Sequence, residues 1–242
     1  MGGDLICLYV KKPVCVVAGI GPGNGAALAR RFAEEGFAIA LLSRTTELAS
    51  DIANELPDAR VYACDVADEA AVERTFDRIV SELGGVSVLV YNAGSGVWGT
   101  IDEITAADFE ASWRVNALGA FLTAKKVVAA MKREGRGNIV FVGATASRRG
   151  AARAAAFAPA KAAQRSLAES LARHLWPAGI HVSLVVIDGV IDIPRTRARM
   201  PDQPGTFFLK PDDIADAVFR LTAQPQSAWS FEIEVRPFGE KW

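Results

Sequence analysis

Four glycines, Gly19, Gly21, Gly23 and Gly25, lie between an apolar run at 14–18 and a segment of helical spacing that starts at Gly25. Glycine permits positive φ and lets the main chain come close to a ligand. The helix that follows offers unpaired N–H groups and the positive end of its dipole. A pyrophosphate suits that arrangement, so the segment reads as a dinucleotide cradle, with a plain structural turn as the other reading. At the end of the second apolar run stand Ser43 and Arg44, and no acid. An acid there would accept from a ribose 2′-hydroxyl, whereas an arginine can grip a 2′-phosphate through charge-assisted bonds. NADP is therefore the expected cofactor, with NAD as the alternative. Phe157 and Lys161 are four residues apart on a helical segment, so they share a face, but only the lysine can exchange a proton. Two arginine groups, Arg148, Arg149 and Arg153, then Arg195, Arg197 and Arg199, have two readings. If they converge they favour an anionic substrate; otherwise they are solvated or salt-bridged loop residues.

The elements that position these residues follow from periodicity. Short, continuously apolar runs at 14–18, 38–42, 60–63, 87–91, 138–142, 181–187 and 231–235 read as strands buried on both faces. Helical spacing covers 25–35, 47–55, 69–83, 107–134, 158–176 and 211–222. Alternation of this kind predicts one doubly wound α/β domain, a seven-stranded mainly parallel sheet with helices on both faces. The segment 108–134 is read as one long helix. Its apolar residues Phe109, Trp113, Phe121, Leu122, Val127, Val128 and Met131 exceed one core stripe. The surplus is either a surface for a homodimer or homotetramer or a helix buried deep against the sheet.

Composition excludes several classes. Of 242 residues, 50% are hydrophobic and 23% charged, which fits a compact core rather than disorder. Lys plus Arg is 27 against 28 Asp plus Glu, so no charge excess calls for nucleic acid. Cys7, Cys15 and Cys64 form no C-x-x-C pair, and with only His174 and His181 no metal site is expected. Reduced cysteines point to a cytoplasmic protein. No apolar run is long enough for a membrane span, and in the 5–10 run the lysines follow rather than precede, the wrong order for a signal peptide.

The spacing Gly19-x-x-x-Gly23-x-Gly25 resembles the short-chain dehydrogenase/reductase family, and further stretches agree. Cys64-Asp65-Val66 resembles its adenine contact, Asn92-Ala93-Gly94 its N-A-G motif, and Asn116 its helix asparagine. Residues 137–142 resemble the strand leading to its active-site serine, and Lys161-Ala162-Ala163 its lysine segment. The likeness runs in order from about Val14 to Val235. It implies a single Rossmann-type domain over 1–242, with 1–12 a candidate N-terminal extension. It also implies cofactor contacts at the four loop glycines, Ser43, Arg44, Asp65, Val66, Asn92, Ala93, Gly94, Lys161 and Gly189.

The resemblance implies hydride transfer between a nicotinamide and a small carbonyl or alcohol, carried by Asn, Ser, Tyr and Lys. Here Asn116 and Lys161 are in place, but Ala144 stands at the serine position and Phe157 at the tyrosine. Thr145 or Ser147 is left to supply a hydroxyl, and of Tyr9, Tyr62 and Tyr91 only Tyr91 is expected near the cofactor. After the sixth strand Asp188 replaces the family's proline and Ile193 its threonine. The sequence thus supports either a divergent NADP(H)-preferring oxidoreductase or an inactive NADP(H)-binding or sensing protein.

Overall fold

The computed structural model describes residues 11–239, so Cys7, Tyr9, the 5–10 run and most of the 1–12 segment lie outside the described residues. The strands are β1 (Val14–Ala18), β2 (Ala38–Ser43), β3 (Ala59–Ala63), β4 (Val86–Tyr91), β5 (Gly137–Ala144), β6 (Ile180–Ile187), β7 (Val190–Ile191), β8 (Phe208–Leu209) and β9 (Glu232–Val235). The helices are α1 (Asn24–Glu34), α2 (Glu47–Glu55), α3 (Glu69–Glu82), α4 (Ala106–Trp113), α5 (Gly119–Glu134), α6 (Phe157–Leu175), α7 (Pro194–Arg199) and α8 (Pro211–Thr222).

Seven strands form one parallel sheet in the order β3-β2-β1-β4-β5-β6-β9. Successive strand residues face opposite ways, so each strand feeds two cores. Val14, Val16 and Ala18 join Phe76 of α3, Leu122 of α5 and Leu175 of α6. Cys15 and Val17 join Leu28 and Phe32 of α1, Ile52 of α2 and Val218 of α8. The chain winds from β1 outward to β3, then crosses back so that β4 lies on the other side of β1. At such a reversal the loops leaving β1 and β4 part, and a crevice opens beyond the carboxyl ends of the strands.

Two elements differ from expectation. The segment expected as one long helix is broken: α4 and α5 are joined by a π-turn, Arg114–Leu118, in which the Gly119 N–H bonds the Arg114 carbonyl. The extra residue of a π-turn leaves carbonyls outside the regular ladder, and the Asn116 side chain uses one of them. The short parallel pair β7·β8, with α7 between its strands, was not anticipated, because two-residue strands carry no readable period. Among the described residues no helix is long and apolar enough to cross a membrane.

Candidate active site

The glycine turn is tied at both ends. Gly19 and Ile20 donate from their backbone N–H to the Leu42 carbonyl at 2.9 and 3.2 Å, and Asn92 Nδ2 donates to the Gly19 carbonyl at 2.7 Å. Gly19 has φ +99°, and a Cβ there would stand 2.5 Å from the Ala93 backbone. Both facts require glycine at this position. A Cβ on Gly25 would reach within 2.6 Å of the Gly19 carbonyl, so the turn closes tightly on the start of α1. Beside Gly21 there is open space for 4 Å, and the first turn of α1 carries no acidic residue. The dipole end and an accessible glycine thus stand together, a cradle that fits a dinucleotide diphosphate. Over Gly23 lies Ile193, whose Cγ2 would be 2.7 Å from a Cβ added there. The threonine hydroxyl implied by the resemblance is replaced by an apolar cover.

Ser43 and Arg44 follow at the carboxyl end of β2, and the Cys64 N–H donates to the Ser43 carbonyl at 2.9 Å. That bond brings Asp65 and Val66 to the same edge. Asp65 caps its own turn by accepting from the Ala67 N–H at 2.9 Å. Arg44 is exposed and has no ion-pair partner among the described residues.

At the other end of the crevice, Lys161 is buried on α6. Its Nζ donates to the Val142 carbonyl at 2.9 Å and to Gln164 Oε1 at 3.1 Å. Loss of hydration on burial lowers its pKa to about 8. Asn116 Nδ2 donates to the carbonyls of Ser112 at 2.8 Å and Ser95 at 3.1 Å, while its Oδ1 is buried without a partner. A Cβ built on Gly94 would lie 3.4 Å from that oxygen and 3.9 Å from Lys161 Nζ, so both groups border one small space. Phe157 packs against Trp98, with ring centroids 5.0 Å apart and planes tilted by 44°.

The remaining candidates are resolved by their partners. Thr145 donates its hydroxyl hydrogen to Asp188 and so does not stand free as a proton donor, whereas Ser147 Oγ accepts from the Ala144 N–H at 3.1 Å. Tyr91 corrects an expectation: its hydroxyl donates to the Val115 carbonyl, and burial raises its pKa well above that of a free phenol. It faces the core beneath α5, not the crevice. The arginine groups share no partner. Arg148 binds Glu234 at 2.6 Å, Arg149 meets Asp188 at 3.5 Å and Arg153 pairs with Glu103, whereas Arg197 holds Asp192. His174 is exposed beside Lys132, and His181 is stacked on Trp229. Gly189, with φ +157°, follows Asp188 as β6 ends.

Sequence reasoning missed Trp98, Gln164 and Arg236. Gln164 had a usable signal, since position i+3 from Lys161 shares its helix face. Trp98 lies on a loop and Arg236 on the far side of β6, where spacing carries no information.

Comparison with known proteins agrees with this geometry. The family model described as short chain dehydrogenase matches residues 13–203, and the chain belongs to that family of NAD(P)-dependent oxidoreductases. It is 33% identical over 221 residues to YuxG of Bacillus subtilis, described as an uncharacterized oxidoreductase. The match covers 88% of this chain and 32% of that protein, so the chain spans about a third of its length. A short-chain dehydrogenase from Rhodopseudomonas palustris superposes with a TM-score of 0.80 at 31% identity, covering 93% of this chain and 99% of the other. A metagenomic short-chain oxidoreductase in complex with NADP gives 0.81 at 29% identity, covering 94% and 98%.

Proposed function

We propose that this chain is an NADP(H)-dependent oxidoreductase acting on a small carbonyl or alcohol, in which Lys161 itself exchanges the proton that a tyrosine handles in the wider family. When bound, the nicotinamide would supply or accept the hydride. The observation carrying the reading is the buried Lys161 ammonium bordering the space over Gly94. Two of its three N–H donors are taken by Val142 and Gln164, which leaves one for a ribose or substrate oxygen. In the reducing direction Lys161 gives a proton to the carbonyl oxygen and becomes a neutral amine, to be recharged from solvent. Asn116 Oδ1 offers an acceptor at the same space and supports a supporting role for Asn116. Thr145, held by Asp188, serves as an acceptor rather than an acid.

The diphosphate would rest on Gly19, Gly21, Gly23 and Gly25, with Asn92, Ala93, Gly94 and Gly189 lining the path to the nicotinamide. Asp65 and Val66 would flank the adenine, while Ser43 and the exposed Arg44 would take the 2′-phosphate. The solved relative with NADP supports this choice of cofactor. Phe109, Trp113 and Phe121 are each more than 40% exposed on α4 and α5, which supports pairing of two copies across that face. A single cytoplasmic domain completes the reading.

The test is turnover of NADPH with a carbonyl panel by the wild type and by Lys161→Met. Turnover that vanishes in the variant, while NADPH still raises its Tm, is the expected result. Unchanged turnover would remove Lys161 from the chemistry. A second reading, a nucleotide-binding protein without turnover, is favoured by the loss of both hydroxyls at Ala144 and Phe157. It predicts the same Tm shift and no turnover in either form.

A further inference from the structure

We propose that the substrate carries a carboxylate, and that Arg149, at the mouth of a charged cleft beside Ala144, binds it. This rests on the oxidoreductase reading for its place in catalysis, but the binding can be tested apart from turnover. The cleft, of about 490 Å³, is lined by Thr145, Arg148, Arg149, Asp188, Glu234 and Arg236. Its volume falls within the range of small-ligand sites. Its floor is the junction of β5 and β6: Ala144 pairs with Ile187 in the register, and the next residues, Thr145 and Asp188, are joined by a hydrogen bond. The cleft therefore begins one residue beyond the position where the family's serine would meet a reacting oxygen.

Charge decides what enters. Asp188 is almost buried and is met by Thr145, Arg149 and Arg236. Glu234 is met by Arg148 at 2.6 Å and Arg236 at 3.4 Å. Both carboxylates are thus neutralised, and three guanidiniums share two of them. Glu232, just outside, adds no surplus negative charge because Arg165 holds it at 2.6 Å and Arg148 also meets it at 3.6 Å. Arg149 carries the excess. Its side chain is 65% exposed, and its contact with Asp188 is 3.5 Å, to the same oxygen that Thr145 already occupies. A guanidinium held so loosely can turn to a new carboxylate and bind it through two parallel N–H donors, a stronger contact than the one it gives up. The short span from this cleft to Ala144 suits a compact oxo acid, with carbonyl and carboxylate close together.

The experiment compares 2-oxobutanoate with butanone, a neutral ketone of similar size, by ligand-observed NMR titration of the purified protein with and without NADPH. The oxo acid is expected to bind at least about tenfold more tightly, one well-made charged contact being enough for that ratio. Arg149→Ala should erase the difference, and Arg149→Lys should restore part of it. Because Arg149 is exposed, its loss leaves the fold intact, which an unchanged Tm checks. Equal binding of acid and ketone, or a preference that survives Arg149→Ala, overturns the proposal. If the oxo acid binds through Arg149 while no carbonyl of the panel is turned over with NADPH, the carboxylate site stands and the oxidoreductase reading fails.

Discussion

Lys161 Nζ lies 6.0 Å from the centroid of the Phe157 ring, one turn away on the same face of α6. The ring face attracts the ammonium weakly, but it carries no proton to share. On the proposed reading the proton chemistry of this corner falls to a buried lysine, and its titration should be visible in the rate.

Burial lowers the Lys161 pKa to about 8, because the ammonium is dehydrated and the neutral amine is not. An acid works in its protonated form, so kcat/KM for carbonyl reduction should be flat below about pH 8 and fall roughly tenfold per unit above it. Alcohol oxidation, which needs the neutral amine, should rise through the same pH. A pH profile of both directions checks this; a reduction rate unchanged well above pH 8 would contradict it.

Restoring hydroxyls should help an enzyme of this kind. Phe157→Tyr with Ala144→Ser returns a phenol within one turn of Lys161 and a hydroxyl at the end of β5. General acid catalysis contributes on the order of a hundredfold or more, so kcat on simple ketones should rise by up to about that factor. Trp98 packs on the same ring, and its displacement would limit the gain, which Trp98→Ala in the double variant would reveal.

Cofactor choice should follow Arg44, the exposed cation at the end of β2 that has no ion-pair partner among the described residues. A hydrogen bond to a charged group is worth about 1.5–3 kcal/mol, or roughly ten- to a hundredfold in affinity. NADPH should therefore raise the Tm more than NADH does, and Arg44→Asp should reverse the order. Fluorescence titration of both nucleotides gives the ratio, and equal affinities for the wild type would refute it.

Stability should weaken in mild acid because of His181. Its ring lies parallel to Trp229 at 4.7 Å, and its Nε2 is 2.9 Å from the Ser230 carbonyl, so Nε2 carries the hydrogen and Nδ1 is bare. Nδ1 is buried without a partner, and burial holds the imidazole pKa below its usual value. The unfolded chain takes up this proton as pH falls below about 6.5, whereas the folded chain resists it. The contribution is therefore full above that pH and is lost on the way down to the folded pKa. Urea midpoints between about pH 7 and 5 should drop in the wild type and drop less in His181→Phe.

The fold was legible to within one or two residues at most element ends, because buried parallel strands and amphipathic helices write their periods locally. The break at Arg114–Leu118 was not, since a π-turn changes hydrogen bonding without changing the apolar spacing on either side. In the site, the glycine turn was legible because residue type and order alone specify it. The binding partners of Thr145, Tyr91 and Arg149 were not.

What the amino-acid order determined by itself was a parallel sheet, a glycine turn before α1, and a lysine with a phenylalanine and an alanine where the resemblance implies a tyrosine and a serine. Each of these depends on residues adjacent in the chain or one helical turn apart. Tertiary structure alone decided that Thr145 donates a hydrogen bond to Asp188, 43 residues on, and that Tyr91 turns into the core. It also decided that Arg236 of the segment after β9 closes the charged cleft beside them. Such contacts form only when distant strands pack side by side, and no local period records which side chains will then meet.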